Sequence, residues 1–160
     1  MKYLLLFFLL LSLKPLSLQS SETVTPYLVL GGGFTDAKRY SGGVFQAEYL
    51  FLKCYFKLFK PEVIFISPRF ESAFLGVGIR AEIRIWQHIL LNPSFIPGLY
   101  AKGKGKDLGF PLEFRSCMEA AYEFTNKVRL GVQVFHISNA SLSCKNPGFN
   151  SLVAILAIPL

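Results

Sequence analysis

The sequence LEFRSCMEAAYEF at residues 112–124 alternates between two kinds of side chain at every second position. One set is mostly apolar: Leu112, Phe114, Ser116, Met118, Ala120, Tyr122 and Phe124. The other set carries the charges: Glu113, Arg115, Cys117, Glu119, Ala121 and Glu123. Because successive side chains of a β-strand point to opposite faces, this period of two predicts a strand with one apolar and one charged face.

The same alternation recurs along the chain and predicts eight strands. They span residues 25–34, 43–52, 61–67, 73–85, 90–101, 112–124, 128–139 and 150–160. The third and fifth segments are bounded or interrupted by Pro68, Pro93 and Pro97. These prolines weaken the two strand predictions, because proline lacks the N–H that a strand ladder needs. Short connections alternate with two long ones, as in bacterial outer-membrane barrels.

The charged face holds residues of both signs with small glycines between them, which favours an ionic lumen over a solvent-facing surface. The long charged residues are Glu48, Glu82, Glu113, Glu119, Arg80, Arg84, Arg115 and Arg129. Strands of about 9–11 residues can cross a bilayer, and closure leaves no unpaired edge in hydrocarbon. The sequence therefore predicts an all-β fold, an eight-stranded antiparallel transmembrane up-and-down β-barrel whose apolar face meets lipid.

The N-terminus is typical of a secretory signal peptide. Lys2 precedes an apolar run that Lys14 and Pro15 end, and the run is too short to span a bilayer as a helix. We expect a signal peptide at residues 1–20 and a single barrel domain at 21–160. Removing Lys2 and Lys14 lowers the formal net charge from +7 by two, to +5. No Lys/Arg-rich helix is present, so nucleic acid is not an expected partner.

The three cysteines, Cys54, Cys117 and Cys144, cannot all pair within one chain, and the strand layout brings no two of them together. Metal-ligand spacing is absent, because His88 and His136 stand alone. No metal or other cofactor is therefore expected.

His136 and Ser138 form the pattern with the clearest chemical meaning. They lie two residues apart on a predicted strand, so both side chains share one face. An imidazole beside a hydroxyl is the base and nucleophile of a serine hydrolase. Their parity is that of Val132 and Val134, so the pair is predicted to face lipid. The alternative is an interfacial polar pair that binds the strand end and headgroups.

Two motifs carry a resemblance to a known family: His136-Ile137-Ser138-Asn139-Ala140 and Asn146-Pro147-Gly148-Phe149-Asn150. Together with segments at 97–100, 106–109 and 112–115, they resemble the outer-membrane lipid A 3-O-deacylases, the PagL family. The resemblance implies an eight-stranded barrel with a His-Ser-Glu triad on its lipid-facing outside. It also implies removal of the ester-linked acyl chain at position 3 of lipid A, with lipopolysaccharide and membrane lipid as partners.

By this resemblance Ser138 is the nucleophile and His136 the general base. Asn139 falls on a family asparagine that is a candidate oxyanion donor, and Asn146 on one with a supporting role. Asn150 departs from the family, whose best-known members carry the triad glutamate there. An asparagine can orient the imidazole but cannot stabilise its charge. The substitution leaves open a slower enzyme, one with its acid elsewhere, such as Asp107, or a pseudoenzyme.

Lysines on the predicted external loops are candidates for binding the phosphates of lipid A, or else form a solvated basic rim. They are Lys102, Lys104 and Lys106, with Lys38, Arg39 and Lys145 nearby. Two further alternatives stay open: a structural or adhesive outer-membrane barrel, and a soluble periplasmic lipid-binding barrel. The second is kept because Leu160 ends the chain without the usual terminal aromatic. A homodimer is compatible with the sequence.

Overall fold

Eight long antiparallel strands close into a barrel in the computed structural model, which describes residues 19–20, 25–35, 42–52 and 58–160. They are β1 (Tyr27–Thr35), β2 (Gly42–Leu50), β3 (Phe59–Pro68), β4 (Ala73–Ala81), β5 (Ile89–Ala101), β6 (Leu112–Glu123), β7 (Arg129–Ser138) and β8 (Phe149–Pro159). Each pairs with its neighbours in the chain, and β8 pairs with β1 to close the ring. Ile83–Arg84 prolongs the line of β4 against β5 and also pairs with Gln19–Ser20. The predicted barrel is confirmed.

The hydrogen-bonded ladder between β4 and β5 is interrupted near a proline. Pro93 and Pro97 both lie inside β5, which runs through the predicted interruption for 13 residues. On the β4 side the ladder omits Val77 and Gly78 and resumes at Ile79. The gap lies opposite Pro97, which has no N–H to donate.

The outer wall of the barrel is apolar, as the alternation predicts. Large exposed apolar residues from every strand include Phe34, Phe45, Phe65, Leu75, Val77, Phe95, Leu99, Met118, Val132, Val134 and Leu152. The long charged residues are buried inside instead, except for Arg84, which is half-buried. This arrangement is the reverse of a soluble barrel with an apolar lumen, so that alternative is wrong. Among the described residues, none belongs to a helix with the length and apolarity needed to cross a membrane.

Two ionic clusters fill the middle and one end of the lumen. In the central cluster, Arg80 pairs with Glu62 at 2.9 Å, with Glu119 at 2.8 Å and with Glu48. Arg115 joins it through Glu48, at 3.3 Å. The second cluster, near the short turns, joins Lys60, Glu82, Arg84, Glu123, Lys127 and Arg129. In these parts of the lumen the charges are packed in pairs, because each buried charge needs a partner to offset its desolvation. Buried apolar side chains such as Ile66, Phe74 and Ile96 also fill the lumen.

Glu113 departs from the predicted network. It is fully buried, but neither carboxylate oxygen has a hydrogen-bond partner among the described residues. Arg115, two positions along the same face of β6, is already bonded to Glu48 and Gln133. The alternation in sequence predicts the direction of a side chain, whereas pairing depends on its depth in the lumen.

Several predictions fall on residues that the structure does not describe. They are nearly all of the signal peptide and its cleavage site, Cys54, Lys38 and Arg39. Of the described cysteines, Cys117 is buried, Cys144 is exposed, and both are free thiols.

Candidate active site on the lipid-facing wall

His136 and Ser138 occupy the predicted face of β7, near the end of the barrel that carries the long loops at 102–111 and 139–148 (the loop end). His136 is exposed and Ser138 is half-buried, and both point to the same face of β7 as the exposed Val132 and Val134. The intervening Ile137 is buried in the lumen. The outward orientation predicted from parity is confirmed, and the two side chains share the lipid-facing wall.

Asn150 lies directly opposite His136 on the neighbouring strand β8. The imidazole Nδ1 is 2.8 Å from the Asn150 side-chain oxygen Oδ1. Because an amide oxygen only accepts hydrogen bonds, Nδ1 carries the proton in this pairing and Nε2 keeps its lone pair. The ring is therefore held in the tautomer that a general base needs, with a neutral partner in place of a carboxylate.

Ser116 lies on the other side of the imidazole and was not among the predicted site residues. It is the cross-strand partner of His136 on β6, and it is exposed on the same wall. Ser116, His136 and Asn150 thus form one polar row across three strands. Its face could be inferred from the alternation at residues 112–124, but its partner depends on the register between β6 and β7.

Asn139 and Asn146 tie the loop at 139–148 together. The amide Nδ2 of Asn139 donates to the carbonyl oxygens of Leu108, at 2.9 Å, and Lys145, at 2.8 Å. Its backbone N–H donates to Oδ1 of Asn146 at 3.1 Å. The Asn139 side chain is buried on the lumenal side of the wall, whereas Ser138 faces outward. The hydrogen bonds of these two asparagines join the two long loops at the rim.

The lysines of the rim have different surroundings. Lys145 pairs with Asp107 at 2.8 Å and Lys102 pairs with it at 3.7 Å, while Lys104 is exposed. The hydrogen bond from Lys145 lowers the pKa of the Asp107 carboxyl, and the N–H of Gly109 acts in the same direction. Asp107 is thus engaged with the rim lysines, while the imidazole is bonded to Asn150. Lys106 instead points its ammonium group at backbone carbonyls of the other loop.

A shallow apolar groove of about 300 Å³ lies on the wall beside Asn150. Phe34, Val134 and Leu152 line it together with Asn150 and the adjoining Thr35 and Ser151. The groove is open toward the surrounding lipid and runs up to the polar row. Its size and lining suit a flexible hydrocarbon chain.

A closed antiparallel barrel with an apolar outer wall defines an outer-membrane β-barrel protein, here with a His–Asn pair and a serine facing lipid. The sequence model of the family described as lipid A 3-O-deacylase (PagL) matches residues 40–159. The chain therefore belongs to the PagL family. A search of curated proteins gave no match.

Two solved structures share the fold. The crystal structure of the outer membrane enzyme PagL superimposes with a TM-score of 0.68 at 18% sequence identity, covering 84% of this chain and 99% of that one. A de novo designed transmembrane β-barrel superimposes with a TM-score of 0.60 at 9% identity, covering 85% and 95%. At such identities these two similarities support the architecture alone.

Proposed function

We propose that this outer-membrane barrel is a serine esterase that removes the ester-linked acyl chain at position 3 of lipid A. The observation that carries the proposal is the hydrogen bond of 2.8 Å between Nδ1 of His136 and Oδ1 of Asn150. His136 lies two residues before Ser138 on the same lipid-facing wall. Polar side chains are costly on a surface that meets hydrocarbon, so a cluster of them there indicates a function. Membership of the lipid A 3-O-deacylase family supplies the substrate class.

The proposed reaction uses these groups in two steps. Nε2 of His136 accepts the proton of the Ser138 hydroxyl as the oxygen attacks the ester carbonyl, and the acyl group passes to Ser138. The sugar oxygen leaves with the proton that His136 returns. Water then attacks the acyl-enzyme, again with His136 as base, and the fatty acid is released while Ser138 is restored.

The other predicted residues take supporting roles in the proposal. Asn150 orients the imidazole. Asn139, which the family resemblance makes a candidate oxyanion donor, does not fit that role, because its Nδ2 already donates to Leu108 and Lys145 and its backbone N–H to Asn146. Asn139 and Asn146 instead hold the loop at 139–148. The groove beside Asn150 receives an acyl chain, and the rim cations Lys102 and Lys104 attract the phosphates of the headgroup.

Mass spectrometry of lipid A from cells expressing the chain tests the proposal. We expect loss of one 3-linked hydroxyacyl group with the native chain and none with Ser138→Ala or His136→Ala. Ser141→Ala, the same exchange at an exposed loop serine three residues away, is the matched control and should deacylate normally. Unchanged lipid A with a folded native chain, or full activity of Ser138→Ala, would rule the proposal out.

One observation favours a second candidate, a barrel of this family without catalysis. Asn150 gives the imidazole a neutral partner where the best-known family members carry glutamate, and an asparagine cannot stabilise the imidazolium. Native lipid A unchanged at high expression, combined with hydrolysis after Asn150→Glu, would establish a pseudoenzyme.

A further inference from the structure

Lys106 reaches from one long loop to the other. Its Nζ donates to the backbone carbonyl oxygen of Gly148 at 2.5 Å and, more distantly, to that of Pro147 at 3.5 Å. The backbone carbonyl of Lys106 in turn accepts a hydrogen bond of 2.8 Å from the Tyr100 hydroxyl, at the end of β5. Lys106 is therefore fixed to the barrel at its backbone and to the loop at 139–148 through its ammonium group.

Gly148 lies against the imidazole of His136. A Cβ atom placed on Gly148 would be 2.8 Å from Cε1 and 3.0 Å from Nε2 of that ring. The backbone of Gly148 thus bounds the edge of the imidazole that contains the basic nitrogen. Asn150 holds the Nδ1 edge at 2.8 Å. The ring is confined from both sides, and the Gly148 side depends on where the loop is held.

We propose that Lys106 is a positioning residue, which fixes the imidazole of His136 by holding the Gly148 backbone against it. This inference rests on the proposed function, since it assigns His136 as the base. Hydrogen bonds from an ammonium group to carbonyl oxygens are charge-assisted and strong. Lys106 then differs from Lys102 and Lys104, because its charge acts on the protein's own backbone.

Kinetics on a substrate without phosphate separate the two roles of a rim lysine. With a neutral p-nitrophenyl ester in detergent micelles, Lys106→Met should lower kcat by about 10- to 100-fold, the effect of a base displaced by roughly 1 Å, with little change in KM. Lys106→Arg should restore much of the rate. Lys127→Met, at the opposite end of the barrel, is the matched control and should behave as the native chain. A loss confined to lipid A and expressed in KM would overturn the inference in favour of phosphate binding.

Tyr100→Phe provides a second variant that keeps the lysine and removes only the hydroxyl that anchors its backbone. It should lower kcat in the same direction as Lys106→Met but by less. If Lys106→Met fails to fold, Tyr100→Phe decides the question, and an unchanged kcat would overturn the inference.

An NMR measurement tests the inference independently of turnover. The Cε1–H signal of the His136 imidazole should shift in Lys106→Met, while that of His88, near the short turns, stays in place as an internal reference. An inactive native chain that shows this shift would refute the proposed function and leave the positioning role standing. An active chain whose His136 signal and kcat ignore Lys106→Met would refute the positioning role alone.

Discussion

Replacing Asn150 with glutamate should raise the rate of ester hydrolysis. In the native chain the imidazole of His136 is bonded to a neutral amide oxygen at 2.8 Å. In the proposed reaction the ring takes the proton from Ser138 and becomes a cation, and no carboxylate of the described residues forms a hydrogen bond or ion pair with it. A carboxylate at position 150 would supply the charge that this cation lacks, at a place where the register already sets the two side chains side by side.

The size of the effect follows from the geometry of this pair. With Nδ1 and Oδ1 in hydrogen-bond contact, the centres of an imidazolium and a carboxylate would be about 4 Å apart. At an effective dielectric constant of about 20 such charges attract by roughly 4 kcal/mol. Each 1.36 kcal/mol is tenfold in rate, so the gain has an upper bound of about 10³-fold in kcat. Glutamate is one methylene longer than asparagine, so Asn150→Asp is made in parallel.

The assay is hydrolysis of a micellar p-nitrophenyl ester by the refolded barrel, with release of the 3-linked chain from lipid A as a second readout. Asn150→Leu, which keeps the size and removes the acceptor, should lower kcat below that of the native chain. In a His136→Ala background, Asn150→Glu should have no effect, because the carboxylate then has no imidazole to stabilise. Equal kcat for the native, Asn150→Glu and Asn150→Asp chains, all correctly folded, would refute the reasoning.

Three further perturbations have defined outcomes. Gly148→Ala adds a Cβ 2.8 Å from the His136 ring at a residue whose φ is +45°; kcat should fall by about 10- to 100-fold, and native turnover would contradict the packing. Glu113→Gln should leave the urea midpoint of unfolding unchanged or raised, since the buried carboxyl has no hydrogen-bond partner in the part of the chain that the structure describes. Glu119→Gln should lower the midpoint, since Glu119 binds Arg80; the reverse order would contradict the pairing. The pKa of Asp107 lies below its usual 3.8. Its ion pair with Lys145 therefore stabilises the fold above pH 3.8, and this stabilisation is lost as the pH falls through the lowered pKa. An NMR titration midpoint for Asp107 at or above 3.8 would contradict the pairing.

Much of the fold follows from the alternation of side chains. Strands with strict alternation, such as β6 and β8, were predicted to within a residue, because one face is apolar and the other holds charges. The fifth segment, predicted at 90–101, was also within a residue of the observed Ile89–Ala101, although Pro93 and Pro97 are strand breakers by local chemistry. A closed ring tolerates them by omitting ladder bonds at Val77 and Gly78, which no local pattern records.

In the candidate site, too, some features follow from the sequence and others depend on the tertiary fold. The faces of His136 and Ser138 follow from parity, and the assignment of Asn150 to the candidate site follows from the family resemblance. The position of Ser116 in this row depends on inter-strand register, and the hydrogen bonds of Lys106 depend on how two loops fold over the rim. Lys106 was grouped with the candidate phosphate-binding lysines because a sequence shows its charge and not its partners.

Packed ionic and apolar side chains fill the interior of the barrel, so the candidate site lies on its outer surface. This location has a consequence for how a substrate would reach it. In the proposed reaction, a lipid would reach Ser138 by lateral diffusion within one leaflet, and the released chain would stay in that leaflet. The substrate concentration at the site is then the number of lipids per unit area of that leaflet. For a lipid confined to the opposite leaflet, this concentration is zero. Membrane asymmetry would thus act as the on–off control of such an enzyme, with no change in the protein itself.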